Sequence, residues 1–324
     1  MSRIMEQVTY RRNAFRELSL NLEKRVDERT AELASTNAAI QRFVPREFLH
    51  ALGHDDVTTA RLGDASSRNV TVLFADIRDF TALSESMTPE ETFAFLNACL
   101  SRIGPHVRAQ SGFVDKYIGD AIMALFPREP ADAVRAAIAM QLEVVASNTR
   151  HPERQALAVG VGIHVGNVMM GTIGEAERFE ATVISDAVNL TARLESLTKQ
   201  FGCPVLISEE VYATLDREMR ALTRRIGTFV VKGKSQPVTL HEVFASDADG
   251  LRAMKSRTRG RFESMLDAFA NERVDTALAI ARTLRDECRA DGPADWWFMH
   301  LAKQSAGGDS ALPLARGVVW LDEK

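Results

Sequence analysis

A chain of 324 residues, 45% hydrophobic and 26% charged, is long enough for one sizeable core plus smaller accessory pieces, and it reads as a folded globular protein. Its formal net charge of -4 argues against a protein that tracks nucleic-acid backbones, although a local basic patch still suits one small polyphosphate such as ATP or GTP. Cys99, Cys203 and Cys288 stand far apart with no CxxC pair, which disfavours a disulfide framework and a zinc site and fits a reducing cytosol.

In chain order, alternating three- and four-residue steps first pick out Phe15, Ser19, Leu22, Val26, Arg29, Leu33, Thr36, Ile40 and Phe43, with charged residues between them and no Gly or Pro. That is a heptad seam, and it predicts a helix with a coiled-coil face, ended by Pro45, in a chain that is at least a dimer. A short element over residues 46–52 and a polar stretch over 53–69 form the expected hinge. His50 and His54 have helical spacing but no glutamate between them and no third ligand, so they read as structural or solvent-facing.

From Val70 to about Phe244 strands and helices alternate: strand 70–77, helix 89–110, strands 113–117 and 121–127, helix 131–146, strands 156–165 and 168–173, helix 186–201, strand 205–207, a short helix 209–215, and strands 227–231 and 239–244. The apolar stretch Leu157 to Ile173 is broken by Gly160, Gly162, Gly166 and Gly171, so it reads as two strands meeting at a turn and not as a membrane span. Hairpins within an alternating order favour an α+β sandwich with helices on one face of the sheet. After Ser246 the pattern is helical, with Phe262, Met265, Leu266 and Phe269 on one face and Ala277, Ile280, Ala281 and Leu284 on the next, which predicts a pair of helices capping the preceding domain. The expected division is a coiled-coil helix over 1–45, a linker over 46–68, a catalytic domain over 69–245 and a helical extension over 246–324. No charged-then-apolar leader opens the sequence, so the expectation is a soluble, cytoplasmic chain, with room for a longer receptor upstream.

Three segments carry chemistry: VTVLFADIRDFT (70–81), GFVDKYIGDAIMALF (112–126) and FEATVISDAVNLTARLE (179–195). Asp76 closes one apolar run and Asp120 opens another, and a hairpin turn at Ile118-Gly119 sets the two carboxylates side by side if the strands are neighbours. Paired carboxylates without a Cys or His cluster suit a hard cation, and two metals held there suit phosphate chemistry. An Asp capping a turn explains either residue singly and the pair poorly. Lys116 lies four residues before Asp120 on the incoming strand. Asn189 and Arg193 share one face of their helix, where an arginine fork can clamp a phosphate and an Asn can orient a ribose.

Together these ordered motifs resemble the class III nucleotidyl cyclases over about residues 43–244. The resemblance implies a ferredoxin-like antiparallel sheet with helices. It implies that Asp76 and Asp120, helped by the backbone of Ile77, bind two Mg2+ or Mn2+ ions. It further implies that Lys116 and Thr182 read the base, that Asn189 and Arg193 stabilise the reacting ribose and α-phosphate, and that Lys232 or Lys234 holds the terminal phosphates. The metal aspartates of one subunit then face the Asn/Arg helix of its partner in a homodimer. A lysine donates and a hydroxyl accepts, so Lys116 with Thr182 suits adenine, whereas a guanylate cyclase is expected to carry an acidic acceptor in place of the lysine. Threonine at 182 resembles a bicarbonate-responsive subgroup. Ser185 stands where the family usually has Gly, and a Cβ there is expected to restrict the loop. The rival readings are a catalytically silent nucleotide-binding module, disfavoured by retention of the polar set, and a guanylate cyclase, disfavoured by Lys116.

Overall fold

The computed structural model describes residues 2–40, 44–152, 155–232, 234–306 and 317–321. The backbone divides into two compact units, Met1–Ala60 and Arg61–Lys324.

The first unit is dominated by α1 (Ser2–Ile40), 39 residues without Gly or Pro, hence about 58 Å long at roughly 1.5 Å per residue. The helix begins well ahead of Phe15 because nothing in residues 2–14 breaks it. Its seam is open: Phe15 is 74% exposed, Val26 62% and Leu33 70%. Phe43, the last seam position, lies outside the described residues. Beyond Pro45 come α2 (Arg46–Ala51) and one 3-10 turn, which Asp56 caps by accepting from Thr58 N at 2.9 Å. His54 Nδ1 shares a 3.0 Å hydrogen bond with Thr59 Oγ1, an ordinary structural contact.

The second unit is built on one nine-stranded sheet. It runs through β1 (Ala65–Ile77), α3 (Phe80–Ser84), α4 (Pro89–Ala109), β2 (Phe113–Ile118), β3 (Ala121–Phe126), α5 (Pro130–Arg150), β4 (Val159–Gly174), β5 (Phe179–Ile184) and α6 (Asp186–Phe201). It continues with β6 (Val205–Ser208), α7 (Glu209–Tyr212), α8 (Arg217–Ala221), β7 (Thr223–Val231), β8 (Val238–Val243), α9 (Asp249–Ala270), α10 (Val274–Glu287), α11 (Gly292–Ser305) and β9 (Val318–Leu321). The strand order is β2-β3-β1-β4-β6-β8-β7-β9, with β5 also paired to β4. Most pairs are antiparallel; β4 with β6 and β7 with β9 are parallel. The α+β class expected from the sequence is the class observed.

Several expectations are corrected by the sheet. Residues 159–174 form one continuous strand, because β1 pairs with β4 from Ala65↔Gly171 to Ile77↔Val159 without a break. The same ladder draws β1 back to Ala65, ahead of the apolar run. The glycines in β4 are there for close approach and not for a turn. A Cβ on Gly162 would lie 2.3 Å from Glu195 N, and one on Gly160 would lie 2.3 Å from Thr198 Oγ1, so α6 seats directly on the strand.

Helices also cover both faces of the sheet, not one. Val205 and Ile207 of β6 join the core under α4 and α5, while the intervening Leu206 joins the core under α6 and α9 to α11, as a period of two requires. The C-terminal segment holds a third helix, α11, and a strand, β9, that the helical pattern did not reveal. Trp297 of α11 is 1% exposed and donates from Nε1 to Ile226 O at 2.6 Å, fastening the segment to β7. Beside it lies a buried charge cluster. Arg224 pairs with Glu242 and Asp291, and Lys255 lies 2.8 Å from Glu242 and 2.7 Å from Asp247.

Candidate active site

β1 and β3 are neighbours in register from Thr71↔Phe126 to Ala75↔Ile122, so the turn between β2 and β3 places Asp120 beside Asp76. The turn needs Gly119, whose φ is +61°. Asp120 lies within hydrogen-bonding reach of the Asp76 carboxyl. Asp76 Oδ1 also accepts from Ile77 N at 3.0 Å. Burial, then the bond to Asp120 and the charges of Asp120 and Glu195, push the Asp76 carboxyl up to about 7.

Glu195 is a residue that the sequence reading missed. Asp76 is paired with Gly160 across the β1/β4 ladder, and a Cβ on Gly160 would lie 2.5 Å from Glu195 Oε1. The carboxylate from α6 therefore occupies the space over the glycine directly opposite Asp76. Burial raises the Glu195 carboxyl to about 6, with Arg78 opposing and Asp120 adding to the rise. The signal in the sequence was indirect: a glycine in an apolar strand marks close approach, here of a carboxylate. Arg78 itself donates from Nη2 to Cys203 O at 2.7 Å, which ties the end of β1 to the loop after α6.

Such an oxygen-only donor set, with Asp76 pushed up by burial and neighbouring carboxylates, fits a hard divalent cation, whose charge would offset that repulsion. Asp76, Asp120 and the backbone of Ile77 are the groups that would hold it.

On β2 itself, Lys116 Nζ donates to Thr182 Oγ1 of β5 at 3.1 Å. The two expected base readers thus meet within one chain although 66 residues separate them. Asn189 and Arg193 lie on α6; Asn189 is exposed and Arg193 partly buried. Ser185 does not restrict the loop as expected. Its backbone is extended, with φ -169°, and its Oγ accepts from Val188 N at 3.0 Å, so the residue is the N-cap of α6. Lys234 pairs with Asp186 in the first turn of α6, which draws it to the Asn/Arg helix, while Lys232 is exposed. Among the described residues neither Asn189 nor Arg193 hydrogen-bonds or ion-pairs with Asp76 or Asp120.

Residues 63–243 match the family described as Adenylate and Guanylate cyclase catalytic domain. An adenylate cyclase of Anabaena cylindrica is 42% identical over 222 residues, covering 66% of this chain and 44% of that protein. The terminal-differentiation specific adenylate cyclase of Dictyostelium discoideum is 32% identical over 262 residues, covering 79% of this chain and 12% of that protein. The chain thus spans less than half the length of these relatives. A bacterial light-regulated adenylyl cyclase superposes with a TM-score of 0.60 at 20% identity, over 73% of this chain and 68% of that one, a likeness of fold. Among the described residues no helix is long and apolar enough to cross a membrane.

Proposed function

Since the chain belongs to the adenylate and guanylate cyclase catalytic domain family, we propose that it is an adenylate cyclase, converting ATP to 3′,5′-cyclic AMP and pyrophosphate at sites shared across a homodimer. The observation that carries the base choice is the Lys116–Thr182 contact of 3.1 Å. The lysine donates to adenine N1, and the threonine hydroxyl, which keeps a free lone pair, accepts from the N6 amino group. Guanine presents the opposite pattern at O6 and N1, and no acidic acceptor replaces the lysine. The Anabaena relative, named an adenylate cyclase, agrees with that choice.

When bound at Asp76, Asp120 and the Ile77 backbone, two magnesium or manganese ions supply activation of the ribose 3′-hydroxyl and neutralisation of the leaving phosphates. The chain's own groups do the rest. Arg193 places its guanidinium against the α-phosphate as negative charge grows there, Asn189 orients the ribose, and Lys232 or Lys234 holds the terminal phosphates. In this reading the carboxylates of one protomer meet α6 of the other. We read residues 69–245 as the catalytic domain, 246–324 as its helical extension, 46–68 as linker and 1–45 as a coiled coil. The exposed seam of α1 supports the last assignment, in which α1 holds two protomers in register and passes movement from an upstream sensor.

The test is cyclic nucleotide formation from ATP and from GTP with manganese, beside Asp76→Ala. Cyclic AMP from ATP alone, absent in the variant, is expected; no product from a folded dimer would favour a silent nucleotide-binding module. Run without residues 1–42, at concentrations where dimers persist, the assay should show lower activity, and an unchanged rate would remove the coiled coil's role. Thr182 also supports stimulation by bicarbonate, which a flat response at fixed pH would reject.

A further inference from the structure

β2 and β3 pair with a register shift: Val114 faces Ala124, Lys116 faces Met123, and Asp115 is the extra residue between them. A bulge of this kind lets two consecutive side chains lean to the same side of a strand, which ordinary alternation forbids. Here those side chains are Asp115 and Lys116. The Asp115 side chain is only 2% exposed, and its Oδ2 lies 3.7 Å from Lys116 Nζ. Among the described residues that oxygen has no hydrogen-bond partner. Lys116 Nζ in turn sits 3.1 Å from Thr182 Oγ1, so carboxylate, ammonium and hydroxyl form one line from the bulge to β5.

A buried carboxylate without a hydrogen bond is costly, and a fold keeps one only where a nearby charge compensates it. Burial raises the Asp115 carboxyl and Glu180 of β5 adds to that rise, while Lys116 counters both. Lys116 gains equally. A lysine side chain carries large rotamer entropy, which a ligand must otherwise remove on binding. With one flank anchored to Asp115, the ammonium is already held beside Thr182 when the base arrives.

We infer that Asp115 is a positioning residue for adenine recognition: its buried carboxylate, set on the β2 bulge, fixes the Lys116 ammonium next to Thr182. The inference rests on the base-reading role assigned to Lys116 above. Because Oδ2 is buried, Asp115 does not touch the nucleotide; it acts through the lysine. Its effect therefore belongs to the base and not to the chemical step.

The experiment compares wild type with the isosteric Asp115→Asn in two readouts, steady-state kinetics with ATP and GTP and competitive binding of the same nucleotides without turnover. The expected result is a KM for ATP raised about tenfold with kcat within about twofold, and an ATP-over-GTP binding preference lowered by the same factor, equivalent to about 1.4 kcal/mol. Parallel losses with both nucleotides, or a fall in kcat at constant KM, would overturn the inference. If wild type binds ATP over GTP, Asp115→Asn erases the preference and no cyclic AMP forms, the positioning role stands and the cyclase reading fails. A wild type without adenine preference overturns the positioning role. Melting temperatures give a check independent of nucleotide. Lys116→Gln should lower Tm by stranding Asp115, and Asp115→Asn in the same chain should restore it; additive losses would show that the two side chains are not coupled.

Discussion

At the end of β1, Asp76, Asp120 and Glu195 crowd together with Arg78 countering Glu195, whereas under α9 Arg224 and Lys255 sit among Glu242, Asp247 and Asp291. The electrostatics of the two groups run in opposite directions. Crowding lifts Asp76 to about 7, while Glu242, which burial alone would raise, is held below the ordinary carboxylate range by Arg224 and Lys255. Compensated buried charge fastens the helical extension to the sheet. Uncompensated charge is poised for a cation that the chain itself does not supply.

The contrast can be broken by removing one member from each side. Asp120→Ala should abolish cyclase activity, by about a thousandfold or more in kcat, without lowering the Tm measured in EDTA, since it relieves repulsion. Arg224→Met should do the reverse. It strands Glu242 and Asp291 and should cost roughly 3–5 kcal/mol in chemical denaturation, with activity at low temperature reduced far less than in Asp120→Ala. A finer test uses pH. Asp76 is raised in the folded chain from an ordinary value of 3.8 to about 7, so the stability its neutral form contributes is present below about 4 and lost as pH rises through 7. In EDTA the Tm of wild type should therefore fall by a few degrees between pH 5 and pH 8 relative to Asp76→Asn, and manganese should cancel the difference.

The sequence makes one of these clusters legible and hides the other. Asp76 and Asp120 stand at the borders of apolar runs, where a charge is conspicuous, and the glycine turn at 119 supplies the geometry that joins them. Arg224, Glu242, Lys255 and Asp291 look like surface charges, because the pairing that buries them spans as many as 67 residues and leaves no local pattern. The same distance hides the contact of Lys116 with Thr182, although the family motif singled out both residues. The error over β4 has a different origin. Glycine suits a turn and also a close approach of backbone, and only the helix lying across Gly160 and Gly162 distinguishes the two. Glu195 was passed over for the same reason, since nothing in the run R-L-E tells which face of α6 looks toward Asp76. At Ser185 the expectation took the cost of a Cβ into account and not the capping hydrogen bond that its hydroxyl makes.

β7 pairs with β8 on one side and with the short β9 on the other, through Thr228↔Val318 to Val231↔Leu321. Without those four residues, β7 would end the sheet as a bare row of backbone donors and acceptors flanked by Phe229 and Val231, which is a template for another copy of the chain. The tail of the described chain thus serves as a seal against fibrous or irregular self-association. A cyclase domain trimmed to the family's boundaries would keep every proposed site residue and lose its colloidal manners.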